Sequence, residues 1–419
     1  MLLLRNIAQI VTLSGGPIPR TGASMSNLGI IENGALLIRG ERIVWVGPTK
    51  DIPVREPGIR YQTLDGRGLD LVALPGFVDS HTHPIFAGTR VEEYDLRIRG
   101  KSYNEIAAAG GGIASSVEQM RSATVEHLLE RTELYFRHFL SHGTTTIEAK
   151  SGYGLSLEDE IKSLQVLASL RDRNRLETVS TFLGAHAVPK ERARSEYIRD
   201  IIQTMLPRVA KEGLAQFCDV FCEEGYFTVE EARSILTAAK NAGLGLRIHA
   251  EEFTHLGGAK LAAELGARSA DHLQWIDDSD IEALRQAGTV ATLLPGTSFN
   301  LGLMRYAPAR KLIAADVPVA LATDFNPGSC FTLNMQLMLA FACTQMRMTP
   351  AEAITAATIN GAYSLGISDR LGTLEEGKQA DIVLMDVSDY RELPYFFGIN
   401  HCAATIKKGN VVINRLEQL

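Results

Sequence analysis

His81-Thr82-His83 closes an apolar run that begins at Leu71. On a β-strand residues i and i+2 share a face, so both imidazoles can turn to one ion at the strand's end. The tripeptide alone is weak, because an isolated histidine is more often a surface or satisfied core residue. Its weight comes from recurrence: His186, His249, His272 and Asp324 also end short apolar runs. Three imidazoles and a carboxylate suit one borderline divalent cation, Zn2+ or Fe2+, with a position left open for water. Such an ion lowers the pKa of water from about 15.7 to about 7, which is hydrolase chemistry.

These residues need a frame that gathers strand ends. Eight short β-branched-rich runs stand between 71 and 327: Leu71 to His83, Thr144 to Tyr153, Val179 to Val188, Ala215 to Cys222, Leu244 to Glu252, Ser269 to Leu273, Thr289 to Leu294 and Val317 to Asp324. Helical periodicity fills the gaps. One helix is expected to start at Thr228, with Glu231 completing a capping box, and to stop at Gly243. Alternating strands and helices imply an α/β fold with a parallel sheet, and eight such units predict a (β/α)8 TIM-like barrel, whose chemistry sits at the C-terminal strand ends. All six candidate residues fall there. The ends of the chain differ: Ala35 to Val46 reads as a hairpin turning at Gly40-Glu41, and Asp381 to Met385 and Ala404 to Ile413 read as further strands with a turn at Gly409-Asn410. Neither end can bury a core alone, so residues 1–68 and 366–419 are expected to form one β-sandwich beside a barrel of residues 69–365.

Composition bounds the partners. With 45% hydrophobic residues the 419-residue chain can bury a large core, and its net charge of -7, without a long basic stretch, argues against nucleic acid. Five scattered cysteines suit reduced thiols in the cytoplasm, with Cys218 and Cys222 read as strand packing. The N-terminal Met1-Leu2-Leu3-Leu4 is interrupted by Arg5, Asn6 and Gln9 and reads as a first strand, and no apolar run reaches the roughly 20 residues that span a bilayer. A small-molecule substrate is the expected partner, with a homodimer as the candidate assembly.

The segment Pro75 to His83, a histidine on the fifth strand, another on the sixth and an aspartate on the eighth resemble the amidohydrolase superfamily, as does Gly372 to Val383. Leu183 to Pro189, His249 to Phe253, Ala270 to Leu273, Thr323 to Ser329, Gly88-Thr89-Arg90, Gly110 to Ile113 and Lys150 to Gly154 narrow the resemblance to a single-metal branch and extend it over the whole chain. That branch implies hydrolysis of 4-imidazolone-5-propanoate to N-formimidoyl-L-glutamate, a step of histidine degradation. The resemblance implies that His81, His83, His249 and Asp324 hold one metal ion per chain. Arg90, Tyr153, His186, Glu252, Asn326, Gly328 and Ser329 would contact substrate or product. His272 would lie beside the activated water, His186 or His272 would stabilise the oxyanion, and Glu252, Asp324 or His272 would move the proton. Arg90 can meet a propionate with a planar fork. Lys150 offers an alternative, a carboxylated lysine bridging two ions.

Each residue has a plainer reading. Arg90 can be a surface charge, Tyr153 a loop aromatic, His186 and His272 core histidines, and Glu252 a cap for a helix starting near Thr254 and Gly257. Gly110-Gly111-Gly112 lacks the lysine of a phosphate loop and is read as a loop over the pocket. Rival functions are another amidohydrolase, acting on a different cyclic amide or deaminating a heterocycle, and a non-catalytic barrel.

Overall fold

The computed structural model describes residues 1–53, 58, 60–101, 105, 106, 110–173 and 176–418. Two sheets organise it. The outer sheet contains β1 (Leu2–Val11), β2 (Ile30–Arg39), β3 (Arg42–Pro48), β4 (Gln62–Asp65) and β5 (Leu71–Pro75) from the front of the chain. The barrel follows with β6 (Phe77–Asp79), β7 (Thr144–Lys150), β8 (Glu177–Ala185), β9 (Phe217–Cys222), β10 (Gly245–Ala250), β11 (Ser269–His272), β12 (Val290–Leu293) and β13 (Val319–Leu321). The chain then returns to the outer sheet as β14 (Ile382–Asp386), β15 (Cys402–Lys407) and β16 (Asn410–Asn414). Every neighbouring pair in the barrel is parallel, in sequence order from β6 to β13.

The outer sheet runs β16-β15-β14-β5-β1-β2-β3, with β4 also paired to β1. It is one hydrogen-bonded path folded over, because its distant ends meet: Ile43 N–H donates to Lys378 O at 3.0 Å, and a Cβ on Gly409 would lie 2.0 Å from Gly40 O. Strand alternation gives this sheet two apolar faces. Leu71, Ala73, Ile382 and Leu384 join its own core, while Val72, Leu74, Val383 and Met385 pack into the barrel's core.

The run Leu71 to His83, read as one strand, is two. Leu71–Pro75 pairs with β1 and β14, so the outer sheet reaches past the expected boundary at residue 68. The chain crosses to the barrel at Gly76, where a Cβ would stand 2.3 Å from Thr145 Oγ1. The hairpin at Gly40-Glu41 forms as expected. The last hairpin turns one residue earlier than read, at Lys408-Gly409, both with positive φ, as a tight two-residue turn requires. Thr228 and Glu231 form the expected capping box of the helix Val229–Asn241, and Gly243 follows it with φ of 86°. Among the described residues no helix is long and apolar enough to cross a membrane.

Candidate active site

The barrel closes beyond its first and last strands, and this seam sets the site. Asp324 N–H donates to His81 O at 3.0 Å and His83 N–H to Phe325 O at 2.8 Å, while Thr323 donates through N–H and Oγ1 to the Asp79 carboxylate. His81, His83 and Asp324, far apart in sequence, are thereby locked side by side. His249, near the end of β10, completes the group.

Four donor atoms converge. His83 Nε2 lies 3.3 Å from His81 Nε2 and 3.4 Å from His249 Nε2, and Asp324 Oδ1 lies 3.5 Å from His81 Nε2 and 3.4 Å from His83 Nε2. Imidazole lone pairs facing one another at this range repel unless a cation lies among them. Ligand atoms about 2.0–2.1 Å from one ion stand about 3.3–3.4 Å apart at neighbouring tetrahedral corners, so these spacings suit ligands shared by one divalent ion. Although burial pushes Asp324 up, hydrogen bonds from His81 and His83 hold its carboxyl well below the usual range. Thr297 Oγ1 fixes its other oxygen at 2.6 Å.

A narrow pocket opens over this group, lined by His83, Arg90, Tyr153, His186, His249, Glu252, His272, Asp324, Asn326 and Ser329. His81 is fully buried and does not line it. Gly328 is not at the cavity wall. It backs Arg90, where an added Cβ would stand 2.0 Å from Nη1.

Two neighbours of Glu252 carry the helix cap considered for it. Glu251 accepts from the backbone of Gly257, Gly258 and Ala259 at the start of the helix Gly258–Leu265, and Glu223 accepts from the N–H groups of Glu252, Phe253 and Thr254. The Glu252 carboxyl is left facing the cavity, 3.7 Å from His272 Nε2. Burial, reinforced by Asp324 and Glu223, raises it well above the usual carboxylate range, which favours its protonated form. Burial also pulls His186 and His272 down to about 3, so both imidazoles are neutral. His186 Nδ1 lies 2.9 Å from Gly152 O and must donate there, which turns an accepting Nε2 to the cavity. A neutral His186 in this tautomer presents an acceptor to the cavity, whereas the oxyanion role considered from sequence needs a donor. Glu251, His272 and Asp324 have φ of 52°, 82° and 55°, a cluster of left-handed residues at the strand ends of the kind found at functional sites.

Arg90 gives Nε and Nη2 to Glu93 Oε2 at 2.9 and 2.7 Å, and Glu93 Oε1 accepts Gly112 N–H at 3.1 Å. One edge of the guanidinium fork is thus spent on tying the Gly110 to Gly112 loop to the cavity wall. Asn326 is occupied by its own turn, taking N–H from Gly328 and Ser329 and giving to Asp324 O and Ser329 Oγ. Phe221, Phe253 and Ile113 also line the cavity and carry no sequence signal beyond their apolar type.

A metal-fitted histidine and aspartate group at the C-terminal mouth of a (β/α)8 barrel, with a terminal sheet alongside, is the architecture of the amidohydrolase family; the chain belongs to that family, whose sequence model matches residues 72–412. Similar folds include guanine deaminase from E. coli, with a TM-score of 0.73 at 18% identity over 99% of this chain and 100% of that one. A zinc-bound adenosine deaminase from Xanthomonas campestris gives 0.71 at 19%, covering 99% and 93%. Sequence is more specific. The chain is 50% identical over 414 residues to imidazolonepropionase of Solibacter usitatus, covering 98% of each, and 47% identical over 419 residues to that of Geobacillus kaustophilus, covering 99% and 98%. Within the amidohydrolases it belongs with the imidazolonepropionases.

Proposed function

We propose that this enzyme hydrolyses 4-imidazolone-5-propanoate to N-formimidoyl-L-glutamate. Water adds its oxygen to the ring carbonyl carbon, the bond from that carbon to the ring nitrogen breaks, and the nitrogen takes a proton. The observation that carries the reading is the convergence of His81, His83, His249 and Asp324, at ligand spacing for one ion, beneath a pocket that also holds Glu252 and Arg90. Those four would hold one Zn2+ or Fe2+, which when bound polarises the carbonyl and makes water a nucleophile at neutral pH.

The side chains divide the remaining work. Glu252, buried and shifted toward its protonated form, delivers a proton to the leaving ring nitrogen, and Asp324, shifted toward its carboxylate form, accepts one from the attacking water. His186 Nε2 accepts a ring N–H and orients the substrate, and neutral His272 lies beside both acids. Arg90, at the cavity wall and anchored by Glu93, meets the propionate, while Tyr153 and Ser329 shape the wall and Asn326 and Gly328 hold Arg90 and the loop in register. Five free cysteines suit the reducing cytoplasm as the working compartment. A homodimer is the proposed assembly, which light scattering checks.

The purified protein should open the imidazolone ring, followed by loss of the substrate's ultraviolet absorbance and appearance of formimidoylglutamate, and leave hydantoins and dihydroorotate largely untouched. Faster turnover of either comparison substrate refutes the assignment.

A further inference from the structure

Beneath the converging donors lies a second set of charged side chains that no step of the reaction uses. Glu148 and Lys150 on β7, Asp219 on β9, Arg247 on β10 and Asp271 on β11 are all fully buried. The Lys150 ammonium stands 2.7 Å from Glu148 Oε1 and 2.7 Å from Asp219 Oδ2. Arg247 stands 3.4 Å from Asp271 Oδ2 and 3.8 Å from Glu148 Oε1, and donates to Ser80 O at 2.8 Å. The two aspartates reach the histidines from behind. Asp271 Oδ2 is 2.7 Å from His81 Nδ1, a hydrogen bond; Asp219 Oδ2 is 3.0 Å from His249 Nδ1, close but too bent to count as one. His83 has no such support: its Nδ1 is buried with no hydrogen-bond partner among the described residues.

His81, Asp219 and Asp271 place donor atoms within 4.8 Å of one another, which by itself resembles a second cation site. Lys150 and Arg247 already supply that positive charge. Three carboxylates and two cations leave the layer one net negative charge; Asp324 adds another, and a single divalent ion cancels both. With Lys150 an ammonium, a second divalent ion would leave two uncompensated positive charges in a buried region, which is costly. A carboxylated Lys150 would instead balance two ions, so the ammonium held 2.7 Å from both Glu148 and Asp219 is the state that matches one.

We propose that Lys150 and Arg247 are built-in counter-ions that pin Asp219 and Asp271 against the outer nitrogens of His249 and His81, fixing both rings for the ion they would share. These four are positioning residues, and the inference rests on the metal assignment above. An outer carboxylate sets the tautomer and raises the basicity of a ligating imidazole.

The test uses the full chain, stripped by chelator and reloaded with Co2+ as the probe, with affinity from chelator competition and ring geometry from the visible absorption of the ion. The native protein should bind one Co2+ per chain. Asp271→Asn, nearly isosteric, should weaken Co2+ binding by about 10- to 100-fold and shift the absorption bands. Lys150→Met should do the same through Asp219; if it does not fold, the Glu148→Gln/Lys150→Met double variant, which restores the formal charge, takes its place. Rescue of affinity and spectrum in Asp271→Glu supports the positioning role. Native stoichiometry near two, or affinity within about 3-fold and an unchanged spectrum in both Asp271→Asn and the Lys150 variant, overturns the inference. The metal assignment is judged separately by His249→Ala: loss of Co2+ there supports it, and full retention defeats both.

Discussion

Glu177, the first residue of β8, fastens the barrel to the outer sheet, and its removal has a magnitude that the structure fixes. Its carboxylate takes Lys407 Nζ at 3.0 Å, Arg370 at 2.8 Å and Gln379 Nε2 at 3.1 Å, and Lys407 also pairs with Asp381. Burial pushes Glu177 up, but the Lys407 charge and the hydrogen bonds from Arg370, Gln379 and Lys407 outweigh it and bring the group from 4.5 down to about 2. At about 1.36 kcal/mol per pH unit, that depression contributes about 3 kcal/mol at pH 7. Because the folded value is the lower one, the contribution is complete above the unfolded value of 4.5 and is lost as pH falls toward 2. About 2 of those kcal/mol are gone by pH 3, where the unfolded carboxylate is mostly protonated and the folded one is not. Glu177→Gln cannot titrate. It should therefore be about 3 kcal/mol less stable than the native chain at pH 7, and the gap should shrink to about 1 kcal/mol at pH 3. Urea unfolding of both proteins at the two pH values, read by circular dichroism and checked for a single transition, measures the difference while other carboxylates cancel. A gap that is negligible at pH 7, or that stays constant between pH 7 and pH 3, refutes the reasoning.

Other outcomes follow from the site. His249→Ala should lose the bound ion and turnover while the far-ultraviolet circular dichroism stays native, measured by metal analysis beside the activity assay. Glu252→Gln should cut kcat by about 100-fold or more with metal content unchanged, as removal of an acid-base group does. Arg90→Lys should bind the natural substrate less well than the native enzyme, and Arg90→Ala less well again, with little further loss in Arg90→Ala on an analogue lacking the propionate charge; equal losses on charged and neutral analogues would assign Arg90 to the loop. Gly328→Ala should raise KM, because its new methyl meets the Arg90 guanidinium at 2.0 Å.

What the sequence made legible was whatever repeats at a local period. The barrel strands, the Thr228 cap and the hairpin at Gly40 follow from spacing and turn chemistry, and the six candidate site residues stood out because they fall at the ends of apolar runs. Leu71 to His83 misled for the same reason. Two fully buried strands joined by one glycine have the same apolar texture as one long strand, and only pairing with β1 and β14 divides them. Arg90 failed in a different way: its fork was legible, but not its partner Glu93, which also receives the Gly112 N–H. A side chain's type announces what it can bind, whereas its present partner depends on contacts that local sequence does not encode.

The buried ionic layer sharpens that distinction, because it left a signal that local patterning is poorly suited to weigh. Asp219 and Arg247 each interrupt a largely apolar strand, and Glu148 and Lys150 stand in a threonine-rich strand buried along its whole length; a charge in a strand covered on both sides has to find its opposite across the barrel. Inside β7 the pair Glu148 and Lys150 share a face, and Arg247 shares one with His249 two residues on, so the charges lie on the same faces as the metal-facing groups. Three acids at the ends of β9 and β10 make the complementary point. Glu251 and Glu252 are identical in type and adjacent in sequence, yet one satisfies a helix terminus and is spent on backbone N–H groups, while the carboxyl of the other faces the pocket, where burial pushes it well above the usual range. Glu223 takes the backbone N–H groups of residues 252 to 254. That division of labour leaves the Glu252 carboxyl uncommitted to a cap, as the proposed proton transfer requires, and it arises from β9 and β10 lying side by side.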